Sequence, residues 1–227
     1  MNRLEVFADH EALADGAAAV LAEGLSAPGA RSLVASGGST PGPTYDRLCK
    51  APLDWSEITV TLSDDRWVDP TSSDSNEPLL RTRLLVHEAT KANFLPLKDA
   101  HHLPQEGAAA VEASLRVLTP FAAVLLGMGA DGHVASLFPG APHLSMALDP
   151  NGDRLAVGVE MSGEKPFVPR ISLTVRALLD SAIVVILVSG EEKRAMLDRI
   201  RNDPSFAPPA AAILRQDRTP TRVLWAP

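Results

Sequence analysis

Apolar residues along the chain fall into two alternating spacings. Short runs broken by few or no polar residues, rich in Val, Ile and Leu, occur at "LEVFA" (4–8), "SLVASG" (32–37), "ITVTLSD" (58–64), "AAVLLG" (122–127), "RLAVGVE" (154–160), "AIVVILVS" (182–189) and "RVLWA" (222–226). Their length and branched side chains predict buried strands. The intervening stretches repeat apolar residues every three or four positions, which predicts helices over 10–27, 76–88, 107–118, 173–181, 191–202 and 209–216. Strand and helix in alternation predict parallel βαβ units, hence an α/β fold with an open, mostly parallel sheet and helices on both faces. In such a sheet a ligand sits in the crevice at the carboxyl ends of the strands, so the strand-to-helix loops carry the candidate chemistry.

Composition narrows this picture. The 19 prolines lie mostly between the predicted elements, and no repeat, linker or low-complexity tract divides the 227 residues. One α/β domain over 1–227 is therefore expected, since a chain this long and 45% hydrophobic can bury a single core. A net charge of −7 argues against a nucleic-acid surface, which needs clustered cations. An anionic partner must be met locally. Cys49 is the one cysteine, which excludes an internal disulfide or a thiolate metal cluster and fits a reducing compartment. The N-terminal stretch "MNRLEVFADHEALAD" has charges among its first apolar residues, and "SAIVVILVSG" is far too short to span a membrane, so a soluble cytoplasmic protein is expected.

Three loops follow predicted strands. In "LLGMGADGHVASLFPG" (125–140), Gly127, Gly129 and Gly132 fit the G-x-G-x-x-G dinucleotide fingerprint. The rest of the context argues against it: Pro139 and Gly140 end the following helix after about two turns, and Asp131 would face the pyrophosphate. The glycines instead let a ligand approach the backbone while Asp131 and His133 project into the crevice, where a histidine oriented by a carboxylate can take a proton from water and return it. The bland alternative is a surface histidine in a glycine turn.

In "VASGGSTPGPTYDRL" (34–48), Pro43 stands where a Walker lysine would be, and Pro41 replaces the last glycine of a nucleophile elbow. A smaller phosphate suits it, met by the N–H groups of Gly37 and Gly38, the hydroxyls of Ser39 and Thr40, and the helix start at Pro41. A plain N-cap is the alternative. In "TLSDDRWVDPTSSDSNEPLL" (61–80), Asp64, Asp65 and Arg66 stand at a strand end, where they could orient hydroxyls or phosphate. The charges could equally be solvated, with Ser73 to Asn76 capping the next helix.

Arg170, just before a predicted helix, and Lys193, in the first turn of another, where a cation opposes the helix dipole, complete a candidate anion site. His101, His102 and His143 lack metal-ligand spacing, so a site without metal or other cofactor is expected. Trp55, Trp67 and Trp225 are read as packing residues.

Taken in order, "SGGSTP" (36–41), "SDDRWVDP...SN" (63–76), "GMGADGHVASLFPG" (127–140), "PRISLT" (169–174) and "SGEEK" (189–193) resemble the 6-phosphogluconolactonases, in the superfamily that also holds glucosamine-6-phosphate deaminases and, more remotely, ribose-5-phosphate isomerases. The resemblance covers nearly the whole chain. It implies a modified Rossmann-like fold and hydrolysis of 6-phospho-D-glucono-1,5-lactone to 6-phosphogluconate in the pentose phosphate pathway. Carried onto this chain it makes His133 the catalytic base, Asp131 its neighbour and Asp64 a pocket carboxylate, with Gly37 to Thr40, Arg170 and Lys193 as phosphate contacts; for such a hydrolysis Arg66, or the glycine N–H groups, is expected to face the tetrahedral oxyanion. Asp65 stands where the family commonly has Glu. An aminosugar-phosphate deaminase, whose resembling motif carries an acid soon after D-G-H, and a phosphosugar sensor without catalysis are the competing readings; "HVASLFPG" offers no such acid. A monomer acting on a small phosphosugar lactone, without nucleic acid or membrane, is the expected state.

Overall fold

The structure is a computed structural model that describes residues 3–161 and 167–227. In chain order its elements are β1 (Arg3–Val6), α1 (His10–Ser26), β2 (Ser32–Ala35), α2 (Gly42–Leu48), β3 (Thr59–Leu62), β4 (Asp64–Arg66), α3 (Glu77–Arg83), β5 (Asn93–Leu95), α4 (Pro104–Leu118), β6 (Ala123–Gly127), α5 (Leu144–Leu148), β7 (Ala156–Val159), β8 (Arg170–Leu173), α6 (Val175–Leu179), β9 (Val184–Ser189), α7 (Glu191–Asn202), α8 (Ala210–Leu214) and β10 (Thr221–Ala226). Seven strands form an all-parallel sheet in the order β1-β10-β9-β6-β2-β3-β5. The central strands are the most apolar: every residue of β2 is buried, and β6 and β9 are buried except for their last residue. β1, at the edge, alternates exposed ends with a half-buried middle. Burial on both faces selects unbroken apolar runs, and an edge does not.

Helices flank this sheet as the pattern predicts. In α1 the buried residues Leu13, Ala14, Ala17, Ala18, Leu21 and Leu25 form one stripe, and Asp9 caps the helix by accepting from the amide of Ala12 at 2.8 Å. The chain runs from β2 outward to β3 and β5, then returns to the other side of β2 with β6. That reversal opens a crevice at the carboxyl ends of β2 and β6, where the two glycine loops emerge.

The structure departs from the sequence pattern in several places. The run 58–64 is two strands: β3 stops at Leu62, and Asp64 already belongs to a separate antiparallel sheet of order β4-β8-β7. Predicted strand 154–160 also lies in this small sheet. The helix expected over 76–88 ends at Arg83, where the amides of Leu84 and Leu85 both converge on the carbonyl of Leu80, and a 3-10 turn follows at His87–Lys91. Residues 173–181 begin as strand β8, and α6 starts only after Thr174, whose hydroxyl accepts from the amide of Ala177. No helix follows His133: Ala135 has φ +49°, and Val134 bridges to Leu137.

Candidate active site

β4 and β8 place four side chains by simple alternation. They pair antiparallel with Asp64 opposite Ser172 and Arg66 opposite Arg170. Residues two apart share a face, so Asp64 and Arg66 look one way and Asp65 the other. Asp64, Arg66 and Arg170 line a cavity of about 240 Å³ at the β2/β6 crevice, together with Gly37, Gly38, Ser39, Thr40, His133 and Lys193. Nine of the positions singled out in the sequence thus meet there; Asp131 lies outside the lining but hydrogen-bonds to His133, and Asp65 does not join them. Arg170 is corrected in one respect: it opens a strand rather than preceding a helix directly.

Asp65, turned away, is almost fully buried and accepts from the amides of Arg66 (2.8 Å) and Asn76 (2.6 Å) and from the Ser75 hydroxyl (2.8 Å). Burial raises its pKa above the ordinary carboxylate value, against these three donors. It fixes the 66–76 loop rather than facing the cavity. Asn76 is one residue the sequence pattern undervalues. Its side chain caps no helix; its Oδ1 accepts from Arg66 Nη1 at 3.0 Å and its Nδ2 donates to the carbonyl of Asp64 at 3.0 Å. It lies so close to Gly37 that a Cβ there would collide with it.

The cations are unusual in their surroundings. Arg66 and Arg170 are directly opposed on neighbouring strands, a destabilising placement for like charges. Among the described residues neither of them, nor Lys193, forms an ion pair. Burial, and then the charge of Arg66, lower the pKa of Arg170. The guanidinium of Arg170 lies against two rings, 5.1 Å from the centre of Phe138 and 5.6 Å from that of Phe167. Across the cavity the 36–41 turn is held from behind by Tyr45, fully buried, whose hydroxyl donates to the Ser36 carbonyl at 2.6 Å. Burial pushes that phenol's pKa up. The amides of Gly38, Ser39 and Thr40 donate to nothing among the described residues, and Thr40 Oγ1 meets Ser189 Oγ at 3.3 Å, tying this turn to the strand end before Lys193. α2 is only seven residues long, so the free amides matter more here than its dipole.

The 127–133 loop orients the histidine. Asp131 Oδ1 accepts from the backbone amide of His133 at 3.1 Å and meets its ring Nδ1 at 2.6 Å. A carboxylate accepts only, so Nδ1 carries a proton, and in the neutral ring the lone pair is on Nε2. The amides of Gly129, Gly132 and His133 are all used within the loop, by the carbonyls of His133 and Gly129 and by Asp131. They are therefore not free to face a developing oxyanion, unlike Arg66, whose Nη1 alone is engaged, by Asn76 and the carbonyl of Asp74. Past His133 the left-handed turn at Ala135 aims the Ser136 hydroxyl at Asp64 Oδ2, while Ser63 donates to Asp64 Oδ1 at 2.9 Å. Ser136 carries no signal in the sequence beyond its place in the glycine loop. Among the described residues no three His, Cys, Asp or Glu side chains converge as metal ligands.

Comparison with known proteins agrees with this geometry. A family described as "Glucosamine-6-phosphate isomerases/6-phosphogluconolactonase" matches residues 8–225. The chain is 46% identical to a 6-phosphogluconolactonase of Caulobacter vibrioides, over 99% of this chain and 97% of that one. It is 39% identical to one of Rhizobium meliloti, over 96% and 94% respectively. A 6-phosphogluconolactonase crystal structure from Shewanella baltica superposes with a TM-score of 0.92 at 34% identity, covering 100% of this chain and 98% of the other.

Proposed function

Because the chain belongs to the family of glucosamine-6-phosphate isomerases and 6-phosphogluconolactonases, we propose that it hydrolyses 6-phospho-D-glucono-1,5-lactone to 6-phosphogluconate in the pentose phosphate pathway, with His133 as general base. The observation that carries the reading is one cavity holding both an imidazole oriented by a carboxylate and three cations that form no ion pair among the described residues. The substrate's phosphate lies among the amides and hydroxyls of Gly37 to Thr40, Arg170 and Lys193. Its ring reaches back to His133.

The lactone is an activated ester, so catalysis needs a positioned water, a base and stabilisation of one oxyanion. Nε2 of His133 takes a proton from water as the oxygen adds to C1, and Asp131 steadies the imidazolium that results. The tetrahedral oxyanion faces Arg66. When the bond from C1 to the ring oxygen breaks, the imidazolium returns its proton to that oxygen, and the new carboxylic acid loses its proton to solvent. Asp64, held by Ser63 and Ser136, accepts from the sugar hydroxyls. No metal or other cofactor enters these steps. In this proposal the protein works as one α/β domain, as a monomer in the cytoplasm, and engages neither nucleic acid nor membrane.

Proton release from freshly generated lactone, corrected for spontaneous hydrolysis and set against ammonia release from glucosamine 6-phosphate, tests the reading. Accelerated proton release without ammonia is expected. Ammonia release alone would place the chain with the deaminases, and neither product would leave a phosphosugar-binding protein.

A further inference from the structure

The phosphate end and the base end of this cavity are joined by one ring. Phe138 follows the left-handed turn at Ala135, which returns the chain toward His133. Its ring centre is 4.5 Å from that of the imidazole, with the planes tilted by 49°. From its other surroundings Arg170 sets its guanidinium 5.1 Å from the same ring centre. Phe167 meets Phe138 edge-on, 5.8 Å apart at 87°, and also lies 5.6 Å from the Arg170 guanidinium. Phe138 does not line the cavity itself.

What makes this contact informative is how little else holds the two functional groups. Arg170 has no carboxylate partner among the described residues, faces Arg66 across the strand pair, and has a buried Nε without an acceptor. A guanidinium so placed is kept in position by the aromatic faces it rests on, an attraction that strengthens when water is excluded. His133 is anchored at Nδ1 by Asp131 from its own loop, but one hydrogen bond leaves the ring free to swing about that bond. The tilted contact with Phe138 restricts that swing.

We propose that Phe138 is a positioning residue that fixes the His133 imidazole and the Arg170 guanidinium relative to one another, so that the span between base and phosphate contact matches the substrate. It stands behind the cavity lining and acts through its two neighbours. The proposal rests on His133 being the base and Arg170 a phosphate contact, as described above.

The test compares the wild type with Phe138→Leu, Phe138→Met and Phe138→Tyr, measuring kcat and KM for the lactone, inhibition by inorganic phosphate, and the melting temperature. Met fills most of the ring's volume without a ring, so a ringless variant that folds is available even if Leu is not tolerated. The ringless variants are expected to lower kcat about tenfold to a hundredfold, as an ångström of misplacement does, and also to weaken phosphate inhibition several-fold, while Tyr retains most of both. That combined loss differs from a lost base, which leaves phosphate inhibition in place, and from a packing defect, which lowers the melting temperature and leaves the constants of folded enzyme unchanged. Ringless variants that fold with wild-type kcat and phosphate inhibition would overturn the proposal, and so would a Tyr variant as impaired as Met. A wild type without lactonase activity would instead overturn the reading on which it rests.

Discussion

Glycine does two different jobs in the 127–133 loop. Gly132 has φ +80°, a left-handed conformation open to few other residues. Gly129 is required for a different reason: a Cβ there would run into both His133 Nδ1 and Asp131 Oδ1. Gly129→Ala should therefore leave the fold intact but push the histidine and its carboxylate apart, lowering kcat about tenfold to a hundredfold with inhibition by inorganic phosphate retained. Steady-state kinetics with phosphate as competitor check this, and an unchanged kcat would show that the loop has room to adjust. At this scale the sequence was most legible where glycines, a histidine and acids sit together. It was least so at Asn76 and Ser136, whose value comes from partners distant in the chain, Arg66 and Asp64, rather than from neighbours. Asp64 and Asp65 show the limit from the other side: adjacent and chemically alike, they are separated in role only by strand alternation, which requires knowing that 64–66 is a strand.

Long elements were readable because periodicity accumulates over many residues. α1, α7, β6 and β9 lie within a residue or two of where the apolar spacing places them. β4, β5 and α5, of three, three and five residues, are too short to show a period. Yet β4 and β8 carry the cavity's Asp64, Arg66 and Arg170, so the small antiparallel sheet was the part least visible in the sequence although it lines the cavity.

That sheet is tied to the rest by Glu112 of α4, nearly buried, whose Oε1 accepts from the amides of Leu155 (2.8 Å) and Ala156 (3.2 Å) at the start of β7. Glu112→Leu would leave two buried donors without partners, a cost of about 2–3 kcal/mol. A fall in melting temperature of roughly 5–10 °C is expected from calorimetry, and a change under a degree would mean that water satisfies both amides.

At the far edge, Glu5 of β1 accepts from Arg222 of β10 at 2.7 and 2.6 Å. That hydrogen bond, opposed by partial burial, holds the Glu5 carboxyl below its ordinary pKa. A carboxyl lowered in the folded state adds stability above its unfolded pKa and loses it as pH falls through the folded one. Glu5→Gln should thus cost up to about 1 kcal/mol at neutral pH, and its urea midpoint should converge with that of the wild type below the folded pKa of Glu5. A gap that stays constant with pH would mean the pair contributes through packing alone.

Across the whole molecule, the reversal of strand order between β2 and β6 gathers residues from seven separate segments of the chain into one cavity. The net charge of −7 makes that concentration of cations local, so the proposed anion site rests on Arg66, Arg170 and Lys193 rather than on the overall field. The parallel sheet and its crevice followed from the alternation of strand and helix, whereas the separate β4-β8-β7 layer did not, because its strands interleave in the chain with those of the main sheet.

The proton-shuttling role of His133 is tested most directly by the rate of proton release from fresh 6-phosphogluconolactone in wild type and His133→Ala, corrected for spontaneous hydrolysis. The mechanism predicts a loss in kcat of about 10²–10⁴ with an unchanged melting temperature and undiminished inhibition by inorganic phosphate. Equal rates in the two proteins would contradict it.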